Sequence, residues 1–318
     1  MTYITDETMD AVVFLFASEE DAQDGKGQGG SGFLVSIETP KGREYLYAVT
    51  NDHVIHRCPW VRLTSRGRYP PHILKPEWES HPDGDDLAIA PLGFTSQFLG
   101  YHGISRKSFL RKEWLSPTRP FGYGSEIFFL GRFLDREGRE VNEPVARFGH
   151  IALSPPTEVY QDDRAFWQES FMVEARSVSG FSGSAVVVMD EEYGGRHFGF
   201  LEVELDVEPA DVFGSLLLGI DWGHKSRSSQ HSGMSYVVPA WKLAEMLDSE
   251  EHVAVRKKED ERLDEEQPKD EGAVLDFDSE EFERFERLAK GIAQVPKEEV
   301  DELRDGKSQE DDNDGRAP

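Results

Sequence analysis

Up to about residue 240, apolar positions fall in short runs of Val, Ile, Leu and Phe, each bounded by Gly, Pro, Asp or Ser. That punctuation is the pattern of strands. The clearest runs are Ala11–Ala17, Gly32–Glu38, Glu44–Thr50, Asp86–Leu92 and Glu126–Phe133. Val145–Leu153, Phe166–Ala175, Ser184–Met189, Gly199–Val207, Ser215–Trp222 and Met234–Val238 follow. Eleven or so strands with no long helical pattern between them predict an antiparallel sandwich or barrel, not βαβ units. Gly25–Gly32 reads as a flexible hairpin connection; it lacks the Lys-Ser/Thr ending and following helix of a phosphate loop.

The strand pattern stops at Pro239. Trp241–Leu247 has helical spacing, and the charge run Glu250–Glu271 has almost no apolar residues, so it reads as a linker. A second apolar island follows. Asp278 and Glu281 form a capping box, and Phe282, Phe285, Leu288, Ala289 and Ile292 mark one helical face. That face either packs on its own domain or docks a protein partner. Pro296 suits the first position of another short helix, and the polar end of the chain reads as disordered.

Charge sharpens this division. The 318 residues carry 62 acidic and 35 basic side chains, a formal net charge of −27. Residues 251–318 hold 24 acids and 12 bases, so the end of the chain is far more acidic per residue than the body. Such an excess repels phosphate backbones and argues against nucleic-acid partners. No run approaches the ~18 apolar residues of a membrane span, and the acidic N-terminus has no basic region ahead of an apolar stretch. The one cysteine, Cys58, excludes an intramolecular disulfide framework and a Cys-rich zinc site. A reducing cytoplasm is the expected compartment.

Three segments carry candidate chemistry. In Ala48-Val-Thr-Asn-Asp-His-Val-Ile55, His53 closes an apolar strand, where packing presents an imidazole at a cleft edge. In Asp83-Gly-Asp-Asp-Leu-Ala-Ile-Ala90, Asp86 directly precedes alternating apolar residues and is placed to turn inward, whereas Asp83 and Asp85 read as a solvated turn. A buried carboxylate needs partners, and an imidazole N–H is a suitable one. In Ser179-Gly-Phe-Ser-Gly-Ser-Ala185, Gly180 and Gly183 permit a tight turn that exposes Ser182 and gathers backbone N–H groups in one hollow. Such a hollow stabilises an oxyanion by about 2.7–4 kcal/mol per donor. Gly-Ser turns are common, and each segment alone has a bland reading. Together they supply what a serine nucleophile requires: an imidazole base and a carboxylate to orient it. His53 and His56 lack the helical alignment of a metal pair, and no H-E-x-x-H motif is present. No metal or cofactor is expected.

These segments resemble the chymotrypsin-like (trypsin-like) serine peptidase family, nearest its bacterial Deg/Htr-type branch. Gly30-Ser-Gly-Phe-Leu-Val and Ala48-Val-Thr-Asn-Asp-His-Val resemble the family's G-S-G-F-I-I and T-N-x-H-V segments, Asp86-Leu-Ala-Ile its D-[IL]-A-[LV] strand, and Gly180-Phe-Ser-Gly-Ser its G-[ND]-S-G-G turn. Gly124–Gly131, Gly219–Gly223 and Gly233–Ala240 resemble later family strands. The resemblance implies an all-β fold of two six-stranded antiparallel barrels, with His53 as general base, Asp86 as orienting acid and Ser182 as nucleophile. The N–H groups of Gly180 and Ser182 become the oxyanion donors, and Asp221, Trp222 and Gly223 lie on the strand that pairs with a polypeptide substrate. Met234 falls at the back of the primary pocket, which favours small or aliphatic residues before the scissile bond. Arg176 lies near the pocket base, where an inward side chain favours an acidic residue and an outward one has no such role.

The implied divisions are a peptidase domain over 1–248, an acidic linker over 249–277, a short helical element over 278–304 and a disordered tail over 305–318. Within the domain, barrel 1 covers about 8–115, barrel 2 about 120–240, and a closing helix 241–248. Four departures from the family stand out. Phe181 replaces the Asp that pairs with a processed N-terminus in secreted zymogens, and Ser184 replaces the second Gly after the nucleophile. The family's disulfides and the PDZ domain of the Deg branch are both missing.

Overall fold

The computed structural model describes residues 4, 6–27, 29–64, 71–94, 101–115, 122–133, 142–175, 180–189, 215–223 and 233–266. The chain divides into two units, Met1–Leu263 and Asp264–Pro318. The strand expected over Gly199–Val207, the helical element 278–304 and the tail 305–318 lie outside the described residues.

The first half is a sheet built from β1 (Val12–Phe16), β2 (Gly29–Glu38), β3 (Glu44–Thr50), β4 (Trp60–Leu63), β5 (His72–Leu74), β6 (Glu79–Ser80), β7 (Ala88–Phe94) and β8 (Ile104–Ser105). Its order is β5-β4-β1-β2-β3-β7-β6, with β8 parallel to β2. Successive side chains of a strand point to opposite faces, and here both faces are covered. Val12, Phe14, Phe16, Phe33, Val35, Tyr47 and Val49 pack into one core. Val13, Leu15, Leu34, Leu46 and Ala48 pack with Val54, Cys58, Val61 and Leu63 into another. Two-sided burial is why the strands read as unbroken apolar runs instead of alternating ones.

The second half is a closed barrel of six strands: β9 (Glu126–Gly131), β10 (Val145–Gln161), β11 (Phe166–Glu174), β12 (Ala185–Met189), β13 (Ser215–Gly223) and β14 (Met234–Pro239). Ile127, Phe129, Ile151, Phe171, Phe181, Val186, Leu218 and Val237 fill it. The first core also takes in Phe128, Leu130, Val187 and Ile220 from this barrel, so the halves share apolar packing.

Four expectations need correction. The first half is not a closed six-stranded barrel. Among the described residues its edge strands β5 and β6 do not pair with each other, so it is an open sheet of eight short strands. Gly25–Gly32 is not a hairpin loop either. A helix, α2 (Glu19–Asp24), capped by the Ser18 hydroxyl and ended by left-handed Gly25, occupies the connection, and Gly29–Gly32 belong to β2. A shorter helix, α1 (Asp6–Asp10), precedes β1.

His53 lies just past its strand, on the one-turn helix α3 (Asp52–Ile55). Finally, the segment read as a linker from 249 continues from the closing helix α4 (Ala240–Leu247) into α5 (Glu250–Glu266). This helix docks through a polar stripe. His252, Arg256 and Asp260, four residues apart and all buried, meet Glu79, Tyr47 and Arg43 at 3.1, 2.9 and 2.5 Å. Positions four apart share one helix face, and this face is charged, so an apolar-stripe reading misses it.

Candidate active site

The antiparallel register of β3 and β7 pairs Thr50 with Ala88 and brings the residues after Thr50 alongside Asp86. There the Asn51 amide donates to the Asp86 carbonyl oxygen at 2.8 Å. The His53 backbone N–H donates to Asp86 Oδ1 at 3.0 Å, and His53 Nδ1 lies 2.7 Å from Asp86 Oδ2. The carboxylate is 1% exposed and the imidazole 38%. With Nδ1–H directed at Asp86, the opposite ring nitrogen, Nε2, is left with its lone pair available to take a proton.

Asp86 is held from behind by the second barrel. Gln168, fully buried on β11, accepts the Asp86 backbone N–H at 2.8 Å and donates to Asp85 Oδ1 at 2.6 Å. Arg164, in the turn between β10 and β11, places Nη2 3.0 Å from Asp52 Oδ2 and Nη1 3.6 Å from Asp86 Oδ1. Asp85, expected in a solvated turn, is instead buried, with His81 Nδ1 at 3.2 Å and Lys242 Nζ of α4 at 3.4 Å. Burial lowers the His81 pKa, outweighing the attraction of Asp85. Burial pulls against the Lys242 ammonium too, but Asp85 and Glu245 together raise its pKa.

The Ser182 turn is anchored at both ends. Phe181 points into the second core, fully buried, with the Arg147 guanidinium 5.2 Å from its ring centroid. Truncating such a side chain typically costs about 3–5 kcal/mol, so apolar burial fastens the turn. Ser31 of β2 holds the other side. Its N–H donates to the Ser182 carbonyl at 3.0 Å and its hydroxyl to the Gly180 carbonyl at 2.6 Å. Arg132 N–H donates to that hydroxyl at 2.7 Å, and the Thr50 hydroxyl donates to the Ser31 carbonyl at 2.7 Å. Gly183 has a φ of +89°, and a Cβ there would overlap the Ser31 carbonyl oxygen and the Thr50 hydroxyl. Glycine is required on both counts.

Ser31 and Thr50 therefore join the Ser182 turn to the strand end that carries His53. Among the described residues no acceptor takes the N–H of Gly180 or of Ser182, and no hydrogen bond joins the Ser182 hydroxyl to His53.

Asp221, Trp222 and Gly223 end β13. Asp221 is fully buried; its backbone pairs with Gly183 and Ser184, and its carboxylate accepts from Ser235 and from Gly223 N–H. The Trp222 ring stacks on Tyr236 at 5.2 Å and donates to the Ser170 hydroxyl at 2.9 Å. From the Gly223 Cα, the direction a side chain would take leads into open space, with the Ser182 hydroxyl 4.0 Å from the Cβ position. Met234, half-buried at the start of β14, pairs with Glu174. Arg176 lies outside the described residues. Sequence reading missed the supports Ser31, Gln168 and Arg164. Ser31 sits inside a noted Gly-Ser-Gly, and the polar run Gln168-Glu169-Ser170 interrupts the apolar residues of its strand; Arg164 carries no sequence signal.

No protein-family model and no curated protein matches the chain. Solved structures do. The protease domain of MamO from Magnetospirillum magneticum superposes with a TM-score of 0.50 at 13% identity, over 77% of this chain and 100% of that one. The Rv3671c protease of M. tuberculosis, in an inactive form, gives 0.44 at 16%, over 76% and 88%. The HtrA-type protease AlgW with a tripeptide gives 0.44 at 18%, over 76% and 62%. The chain thus shares its fold with the MamO protease domain. At 13% identity this likeness speaks for the fold and not for the activity. Among the described residues no helix is long and apolar enough to cross a membrane.

Proposed function

We propose that the chain is a serine endopeptidase. The observation that carries this reading is the doubly bonded His53–Asp86 pair, tied through Thr50 and Ser31 to the turn that presents Ser182. In this reading the Ser182 hydroxyl attacks the scissile carbonyl while His53 Nε2 takes its proton. Asp86 holds the imidazole and stabilises the imidazolium. The N–H groups of Gly180 and Ser182 stabilise the oxyanion, His53 returns the proton to the leaving amine, and water then releases the acyl group by the same steps. Trp222 and Gly223 flank the substrate backbone. Asp221 supports the turn through its backbone, and Met234 favours small or aliphatic residues before the cleaved bond, with Arg176 and an acidic residue as the rival. Digestion of a peptide library by wild type and by Ser182→Ala tests this. Cleavage lost in the variant and clustered after aliphatic or acidic residues supports it. Cleavage after Lys or Arg contradicts both pocket assignments, and no cleavage contradicts an enzyme active by itself.

A second reading, a catalytically silent or partner-activated module of the same fold, draws on one observation: the Ser182 hydroxyl does not bond to His53 among the described residues. Separately, the amphipathic sequence of the 278–304 element supports a protein partner there. For compartment we propose a reducing bacterial cytoplasm, supported by the single, buried Cys58, and the charge of −27 argues against nucleic-acid partners.

A further inference from the structure

We infer that Asp221 and Ser235 set the substrate class of this site: they take up the backbone of Gly223, so the site reads the one or two residues before the cleaved bond and gains nothing from a longer strand of substrate. The inference rests on the proposed peptidase reading and deepens it. Gly223 is a strand residue beside the nucleophile, its Cβ position 4.0 Å from the Ser182 hydroxyl. β12 pairs with β13 only over Ser215–Ile220, and Asp221 bonds through its backbone to Gly183 and Ser184 of the Ser182 turn. Trp222 and Gly223 therefore run past their partners on that edge, where an extended peptide would add by main-chain hydrogen bonds.

Such pairing needs an available N–H and carbonyl, and Gly223 offers neither. Its N–H donates to Asp221 Oδ1 at 3.2 Å, and its carbonyl oxygen accepts the Ser235 hydroxyl at 2.9 Å, a proton shared with Asp221 Oδ1. The first contact is a side-chain turn, in which an Asp accepts the N–H two residues further on. The register of β13 slips between Asp221 and Gly223, and Gly223 takes a φ of +120°, which glycine tolerates. Asp221 and Ser235 are both fully buried. A substrate that drew the Gly223 N–H away would strip a buried carboxylate of a donor, a loss greater than the net worth of the bond gained. Trp222 gives no replacement, because its ring is stacked on Tyr236 and its Nε1–H donates to the Ser170 hydroxyl at 2.9 Å.

An extended peptide presents its main-chain groups to one edge at every second residue, so the third residue back from the cleaved bond is the one that would meet Gly223. The test is a series of acetylated peptidyl diphenyl phosphonates of increasing length, each with an aliphatic residue at the reactive end, which react with a serine nucleophile. Reaction rates with the full chain are compared between the two-residue and three-residue members. In wild type the third residue is expected to change the rate less than about twofold, and in Ser235→Ala, which frees the Gly223 carbonyl, to raise it about fivefold, the net worth of one hydrogen bond. The ratio within each protein cancels any general loss in the variant. Equal ratios in the two proteins, or a gain of about fivefold or more in wild type, overturn the inference. Should Ser235→Ala fail to fold, Ser235→Cys carries the same comparison. Failure of wild type to react with a simple fluorophosphonate strikes the peptidase reading, whereas reaction with it and a steep gain from the third residue strike the role of Asp221 and Ser235 alone.

Discussion

The Ser31 hydroxyl donates to the Gly180 carbonyl oxygen at 2.6 Å, fastening the backbone on one side of the Ser182 turn to a strand of the other half of the molecule. The same hydroxyl accepts Arg132 N–H at 2.7 Å. Ser31→Ala removes both bonds and leaves a buried N–H and carbonyl unpaired, a loss of about 1–3 kcal/mol. The variant is expected to fold with a lowered melting temperature and to react with a fluorophosphonate about tenfold more slowly, because the N–H groups beside Ser182 are less well aimed. Melting and labelling rate measured together check this. A lower melting temperature with an unchanged labelling rate contradicts a positioning role.

Gln168 supports Asp86 from the second barrel, its side chain accepting one N–H and donating to the neighbouring Asp85. Gln168→Met keeps the volume and removes both bonds. Labelling of Ser182 is expected to fall about tenfold or more, since a displaced acid no longer holds the His53 tautomer. Circular dichroism of the folded variant, alongside the labelling rate, is the check.

His81 makes stability depend on pH. Burial lowers its pKa below the ordinary 6.5, outweighing the pull of the Asp85 carboxylate 3.2 Å from its Nδ1. Above about pH 6.5 the ring is neutral in folded and unfolded chains alike, and its contribution to stability is whole. As pH falls below that value the unfolded chain binds the proton first, so stability declines until the folded His81 is protonated too. Urea unfolding at about pH 7.5 and about pH 5.5 is expected to show a smaller loss in His81→Gln than in wild type. Equal losses contradict the assignment.

What the sequence made legible follows from these contacts. Strands such as Val12–Phe16 and Glu44–Thr50 were visible because both of their faces are buried, which leaves unbroken apolar runs. The contact of His53 with Asp86 could be anticipated because each follows or precedes a strand within a short patterned segment. The open first sheet was not, because strands of two or three residues such as β6, β8 and β5 are set by pairing, not by their own composition. Nor was α5, whose buried face is His252, Arg256 and Asp260. Gln168 was hidden for a third reason: it reaches Asp86 from 82 positions away along the chain.

The central claim is that Ser182 is a nucleophile activated by His53 and Asp86. Covalent labelling of the purified full chain by a fluorophosphonate, with the modified residue identified by mass spectrometry, tests it most directly. Wild type is expected to label on Ser182 alone, Ser182→Ala not at all, and His53→Gln at least a hundredfold more slowly, in keeping with the loss of the base. A well-folded wild type that does not label, or that labels at another residue, contradicts the account.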